Sequence, residues 1–121
     1  MNPGGAPWPT ELRLNRAKDV LTVQFDDGER YELDAEYLRV ESPSAEVQGH
    51  GPLERQFVPG KRHVKITALE PVGHYAVRIV FSDGHDTGLF TWAYLRELGS
   101  GHEEKWPAYL EGLAAKGLKR E

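Results

Sequence analysis

Two segments of the chain share one pattern, and this repeat constrains the fold more than any other feature. "FDDGERYELDAEYLR" (residues 25–39) and "FSDGHDTGLFTWAYLR" (residues 81–96) both begin with Phe, pass through an Asp-Gly pair and an apolar position, and end in Tyr-Leu-Arg. Asp-Gly between extended segments is a hairpin signal, so each copy predicts a strand, a tight turn, a short extension and a helix. Two copies are too few for a solenoid, which needs at least about three. Duplication or two uses of one supersecondary unit would both give a two-lobed α+β domain.

Alternating apolar residues predict further strands around the two copies. Leu12 and Leu14 fall on one face of a strand, and Val20, Val23 and Phe25 are the apolar positions of the strand that leads into the first Asp-Gly turn. In the second half, "HVKITALEPVG" alternates in the same way, and "HYAVRIVF" has the strongest strand pattern of the chain. If this last strand is central, Val77 or Ile79 faces the core.

Three short helices are predicted. Asp34 can accept hydrogen bonds from the free amides at the start of "AEYLRVE", and that helix must stop before Pro43. "TWAYLREL" predicts a second helix that ends at Gly99, and "EEKWPAYLEGLAAKGL" predicts a third with Pro107 in its first turn. The expected fold is a small single α+β domain with an antiparallel β-sheet.

Composition limits the compartment and the classes of function. The 121 residues fit one domain, which we place at residues 10–121, after a flexible leader rich in Pro and Gly at residues 1–9. Because the chain has no cysteine, we expect no disulfide, no thiolate zinc site and no iron–sulfur ligation by this chain. No run of 18 apolar residues and no secretory signal are present, which favours a cytoplasmic protein.

The charge argues against a general nucleic-acid binder. The net charge is −4, whereas such proteins normally carry a basic face. Lys61, Arg62 and Lys65 form a local basic cluster. We interpret that cluster as a solvated strand edge, where lysine and arginine discourage aggregation.

Residues 42–63 form a long irregular connection. The stretch that enters it, "LRVESPSAEVQGHG" (residues 38–51), opens as a helix, breaks at Pro43 and ends in Gly-His-Gly. Connections of this length are uncommon in compact domains and are often functional. The sequence therefore predicts that this loop has a specific task.

Three motifs carry a resemblance to a known family. "YLRVESPSAEVQGHG", "EPVGHYAVRIVFSDGHDTGLFTWAYL" and the closing helix with its tryptophan resemble the bacterial family of unknown function numbered DUF971, which is similar to the N-terminal domain of gamma-butyrobetaine hydroxylase. The resemblance runs from about Thr10 to Leu113 and implies a small α+β domain. In the hydroxylases, the related domain precedes the catalytic domain and carries a structural zinc on three cysteines and one histidine. Related domains are also joined to Mrp-type P-loop ATPases that act in iron–sulfur cluster assembly.

The zinc ligands of the family do not carry over. The motif Cys-x-Cys-x-x-Cys falls on Ser42, Ser44 and Val47, and the histidine falls on His85. Structural zinc of this kind is bound by thiolates, while valine has no donor and serine hydroxyls stay protonated near neutral pH. The resemblance therefore implies a degenerate site without metal, and we expect no cofactor.

Two alternatives remain open for the histidines. His50, His85, Asp83 and Glu46 could form a remade metal site, because the resemblance brings residues 42–50 beside His85. Alternatively, His85 hydrogen-bonds a backbone carbonyl or a loop serine. No catalytic residues are predicted, since the loop serines lack a nucleophile-elbow motif and the chain lacks a P-loop.

The sequence favours a non-catalytic interaction or adaptor module, linked to iron–sulfur protein maturation, with an unidentified protein partner. The alternative is a small-molecule or metal-ion binding protein that uses residues 42–50 with Asp83 and His85. Arg39 is available for a carboxylate on a partner, or it pairs internally with Glu36 or Glu41. The candidate binding residues are Arg39, Ser42, Ser44, Glu46, His50, Asp83 and His85.

Overall fold

The computed structural model describes residues 8–44 and 57–121. In chain order, its elements are β1 (Pro9–Leu14), β2 (Val20–Phe25), β3 (Arg30–Asp34), α1 (Ala35–Val40), β4 (Ile66–Val72), β5 (Ala76–Phe81), β6 (Leu89–Thr91), α2 (Trp92–Ser100) and α3 (His102–Ala115). The strands form two three-stranded antiparallel sheets, ordered β1-β2-β3 and β4-β5-β6. The prediction of a small α+β domain with antiparallel strands and about three short helices is confirmed. No helix in these two ranges is long and apolar enough to cross a membrane.

The two halves follow one plan, as the repeat predicts. Each sheet is a three-stranded meander, and the strand that ends it runs directly into a helix, α1 after β3 and α2 after β6. Gly28 and Gly84 occupy the same place in the two Asp-Gly turns and have φ of 90° and 91°. Glycine adopts this left-handed region without a Cβ penalty. The shared Asp-Gly pairs are therefore explained by turn geometry.

Reciprocal hydrogen bonds join the two halves. The Tyr37 hydroxyl of α1 donates to the backbone carbonyl of Leu98 at 2.6 Å, and the Tyr94 hydroxyl of α2 donates to the carbonyl of Glu41 at 2.5 Å. The two tyrosines match in the repeat, and each acceptor lies four residues after the tyrosine of its own half. The two hydrogen bonds are therefore equivalent: in each, the tyrosine of one helix donates to a backbone carbonyl near the C-terminal end of the other helix.

Both sheets contribute to one main core. This core contains the buried residues Leu21, Val23, Phe25, Leu33, Ala35, Tyr37, Leu38, Val64, Ile66, Val77, Ile79, Phe81, Phe90, Leu95 and Leu98. In β2, Leu21 is buried while Val20 is only half-buried. The prediction that Val20 lies on the same apolar face as Val23 and Phe25 was wrong. Side chains alternate between the two faces of a strand, so Leu21, Val23 and Phe25 share the core-facing side.

The N-terminal boundary differs from the predicted one. β1 begins at Pro9, inside the stretch expected to be a leader, and residues 1–7 lie outside the described residues. The backbone carbonyl of Trp8 accepts from the Asp26 amide at 2.8 Å, and the Trp8 amide donates to Asp26 Oδ1 at 3.3 Å. Backbone pairing with the first turn therefore holds the chain from Trp8 onward.

Two helix details correct the sequence prediction. Asp34 is the N-cap of α1, but its side chain makes no capping hydrogen bond, whereas Thr91 at the same place in α2 accepts from the Tyr94 amide at 3.1 Å. Pro107 lies in the second turn of α3, not in its first, because α3 already begins at His102. Only Gly101 separates α2 from α3, so the start of α3 is set by the end of the preceding helix.

Candidate functional site

The end of α1 and the turn after β5 lie side by side and bring together most of the predicted site residues. From α1 and the residues after it come Arg39, Ser42 and Ser44, and from the turn come Asp83 and His85. The predicted residues Glu46, Val47 and His50 lie outside the described residues. The resemblance implies that Ser42, Ser44, Val47 and His85 lie close together. The structure shows this for Ser42, Ser44 and His85, the three that it describes.

Ser42, Ser44 and His85 form a buried polar cluster. The Nε2 atom of His85 lies 2.9 Å from Ser42 Oγ and 3.4 Å from Ser44 Oγ, and Ser42 Oγ accepts from the Ser44 amide at 3.4 Å. The relative exposures of the three residues are 0%, 7% and 7%. The interpretation of His85 as the hydrogen-bonding partner of a loop serine is confirmed.

This cluster does not have the arrangement of a nucleophilic site. Ser42 is within hydrogen-bond distance of an imidazole, as a nucleophile and its base would be, but its hydroxyl is buried and serves as the acceptor of a local turn. Asp83 accepts from the backbone amide of His85 at 3.1 Å, so this contact does not orient the ring. The hydrogen bonds instead link the residues after α1 to the turn after β5, which is a structural role.

Asp83 is the acceptor for two cations. Its Oδ2 atom accepts from Arg39 Nε at 2.8 Å and from Lys61 Nζ at 2.5 Å. Burial acts to raise the pKa of this carboxyl, but hydrogen bonds from Lys61, from the His85 amide and from Arg39 outweigh it and lower the pKa of Asp83 to about 2. The carboxylate is therefore charged throughout the physiological pH range.

The alternative that Arg39 pairs with Glu36 or Glu41 is not what the structure shows. Arg39 pairs with Asp83, and Glu36 instead accepts two hydrogen bonds from Arg120, at 2.9 and 2.7 Å. All six residues of α1 are buried, so its charged side chains extend to different neighbouring elements instead of meeting across a solvated helix face. The Nε atom of Arg39 thus hydrogen-bonds within the domain.

A second nitrogen of Arg39 has no such hydrogen bond among the described residues. Its Nη1 atom is buried and has no hydrogen-bond partner in the part of the chain that the structure describes. The Arg39 side chain is 10% exposed and lines a cavity of about 270 Å³. The residues around this cavity are Arg39, Lys61, Asp83, Gly84, His85, Asp86 and Thr87.

Lys61 differs from its predicted place on a solvated strand edge. Its side chain is 20% exposed and is held by Asp83, 22 residues away along the chain. The repeat held a partial signal for this region, because each copy contains an aspartate in its turn and an arginine at its end. If the arginine of each copy pairs with the aspartate of the other copy, the repeat predicts Arg39 with Asp83. It does not predict Lys61.

The matching place in the other half is closed by an aromatic ring. Arg96, the counterpart of Arg39, lies 5.2 Å from the ring centre of Phe25 and 5.7 Å from that of Tyr31. The position that corresponds to Tyr31, counted back from the matched helices, is Gly88. The second copy of the repeat therefore has no tyrosine at this position.

Close packing explains why position 88 carries no side chain. A Cβ on Gly88 would lie 2.4 Å from Ser42 Oγ, and a Cβ on Gly99 would lie 2.5 Å from Tyr31 Cγ. Each glycine thus makes room for a side chain of the other half.

The donor set does not fit the structural zinc of the related domains. Position 47 is a valine, and the two serine hydroxyls are already engaged by His85 Nε2, which a zinc ligand would have to offer to the metal. Within residues 8–44 and 57–121, no three His, Asp or Glu side chains are grouped closely enough to hold a metal ion.

We expect the purified protein to contain no stoichiometric zinc, measured by elemental analysis after gentle purification. A chain with Ser42→Cys, Ser44→Cys and Val47→Cys together should bind about one zinc, because the resemblance assigns these three positions and His85 as the zinc ligands and thiolates bind zinc strongly. One zinc per unmodified chain, lost in a His85→Ala variant, would contradict the expectation.

Comparisons with known proteins agree with this architecture. The model of the family described as "Gamma-butyrobetaine hydroxylase-like, N-terminal" matches residues 12–96. Two NMR solution structures of proteins are each 45% identical to the chain, with TM-scores of 0.82 and 0.83; the matches cover 97% and 100% of this chain and 92% and 90% of those chains. No curated protein matches the chain.

A third solved structure carries the family name. It is the crystal structure of a protein of unknown function of the DUF971 family from Acidithiobacillus ferrooxidans, 46% identical, with a TM-score of 0.63 and with 75% of this chain and 91% of that chain covered. The family model matches more than half of the chain. A sequence identity of 46% over 75% of this chain is also high enough to show membership of the same family. The chain is therefore a member of the DUF971 family, whose domain resembles the N-terminal domain of gamma-butyrobetaine hydroxylase.

Proposed function

We propose that the protein is a non-catalytic interaction module of the cytoplasm that recognises a protein partner through the surface around Arg39 and Asp83. This surface, the Arg39–Asp83 face, consists of the seven residues that line the cavity described above. The observation that carries the proposal is the buried guanidinium of Arg39, which lines the cavity with one nitrogen unpartnered in the described chain. A partner that supplies an acceptor would satisfy this donor.

The energetics of buried charge support an interaction role. Burying an ion pair brings little net stability, because desolvation offsets much of the Coulomb attraction. An unpaired buried donor adds a cost of about 1–3 kcal/mol that a folded domain normally avoids. Structural needs alone explain the Arg39–Asp83 pair but give no reason for the remaining donor.

The size of the cavity favours a group on a macromolecule over a whole small ligand. At about 270 Å³, it lies below the range of roughly 300–1,000 Å³ typical of small-molecule sites, and most of its lining residues are polar or charged. The alternative, a small-molecule or metal-ion binding protein that uses residues 42–50 with Asp83 and His85, would need further walls from those loop residues. A bound small molecule or metal in the purified protein would favour that alternative.

We also propose that the partner belongs to iron–sulfur protein maturation. The support is the resemblance alone, because related domains are joined to Mrp-type P-loop ATPases. Since this chain has no cysteine, any cluster would be held by the partner. Recovery of a P-loop ATPase or an iron–sulfur protein in the capture experiment would support this link, and its consistent absence would count against it.

The capture experiment uses two matched lysine variants. The tagged protein is purified from its native host, and partners are identified by mass spectrometry for the unmodified chain, Lys61→Gln and Lys65→Gln. We expect Lys61→Gln to reduce recovery of the partner at least severalfold, because Lys61 lines the face, and Lys65→Gln to leave it unchanged, because Lys65 is exposed outside it. Equal recovery with both variants, at equal melting temperatures, would refute the assignment of the face.

A further inference from the structure

We infer that the cavity beside Arg39 binds a carboxylate group of the protein partner, either an acidic side chain or a chain terminus. This inference rests on the proposed function and specifies the chemistry of recognition. It follows from the unfilled donors around the cavity, from the balance of charges on its wall, and from the contrast with the matching place in the other half.

The cavity offers donors and needs an acceptor. A guanidinium has only donors, and the buried Nη1 of Arg39 has no acceptor among residues 8–44 and 57–121. Lys61 has three N–H donors, of which one is directed to Asp83 at 2.5 Å. Two cationic side chains therefore share the cavity wall with capacity left for a ligand.

The four formal charges on the wall sum to zero, so the wall disfavours a group with more than one negative charge. Arg39 and Lys61 contribute two positive charges, and Asp83, held between them, contributes one negative charge. Asp86 also lines the cavity, and its carboxylate would repel an incoming anion. A phosphate group with nearly two negative charges would meet more repulsion from Asp86 than a carboxylate would.

The other half of the molecule serves as an internal comparison. Arg96 donates a hydrogen bond from Nη1 to Asp27 Oδ1 at 3.0 Å, and its Nη2 atom forms an ion pair with Asp27 Oδ2 at 2.8 Å. Two aromatic rings lie against its guanidinium. Arg39 donates to Asp83 through Nε, and its Nη1 has no partner among the described residues. The two matched arginines thus differ: Arg96 is held by Asp27 and two aromatic rings, whereas Arg39 lines a cavity and has one nitrogen without a partner among the described residues.

The test is a titration of the full chain with sodium acetate, followed by ¹⁵N NMR, with sodium chloride at matched ionic strength as the reference. We expect saturable shifts at the Arg39 Nε–H and at the amides of Gly84 and Thr87, with no comparable shift at the Arg96 Nε–H. Asp86→Asn should tighten acetate binding because it removes the repelling charge. Lys61→Gln should weaken binding by about tenfold, the effect of losing one charge-assisted hydrogen bond.

A competition experiment then links the cavity to the partner. We expect acetate to displace the partner captured by the unmodified chain and Asp86→Asn to make displacement more efficient. Absence of acetate binding at the cavity, or binding that does not compete with the partner, would overturn the inference. Either result would leave the proposed function intact if capture still depended on Lys61, so the two failures can be told apart.

Discussion

Truncation of Ile79 to alanine is expected to lower the free energy of unfolding by about 2–5 kcal/mol. Ile79 is fully buried and lies in β5, the central strand of its sheet, opposite Leu69 of β4. The substitution removes three buried carbon atoms and leaves a cavity in the core shared by both sheets. Urea unfolding followed by circular dichroism measures the change, and Val77→Ala should show a smaller loss because fewer atoms are removed.

Val80→Ala provides the control within the same strand. Val80 is only partly buried and points to the opposite face of β5 from Ile79, so its truncation should cost clearly less than that of Ile79. If the free energy of unfolding fell equally in both variants, or barely changed in Ile79→Ala, the placement of β5 at the centre of the core would be wrong.

Replacement of Asp83 by asparagine is expected to destabilise the protein by about 2 kcal/mol. The loss of the carboxylate leaves the buried Arg39 guanidinium without its counter-charge, and breaking a buried pair costs several kcal/mol, reduced here because the Asp83 side chain is about a fifth exposed. Asp27→Asn is the matched control from the other half. Its side chain is 37% exposed, so its replacement should change stability far less.

The effect of Asp83 should disappear in acid. Its folded pKa of about 2 lies below the ordinary value of about 3.9, so the stabilisation is complete above pH of about 4 and is lost as the pH falls toward 2. The difference in melting temperature between the unmodified chain and Asp83→Asn should therefore shrink over this interval. A difference that stayed constant down to pH 2 would mean that the charge of Asp83 does not stabilise the fold.

The sequence by itself determined the order and type of the elements, because these depend on local signals. Each Asp-Gly pair requires a turn, with Gly28 and Gly84 at positive φ, and the repeat predicted that each turn joins a strand to a short extension and a helix. The family resemblance predicted that Ser42, Ser44 and His85 lie close together, and the structure shows both serine hydroxyls within hydrogen-bond distance of His85 Nε2.

Only the tertiary structure decided which charged residues meet. Arg39 could have paired with Glu36 or Glu41 on a solvated helix, but α1 is buried on all sides, and its arginine contacts Asp83, 44 residues away along the chain. Lys61 joins the same carboxylate from a segment that the sequence pattern assigned to solvent. Such pairings depend on how the two halves pack, and periodicity within one segment carries no information about the segment opposite to it.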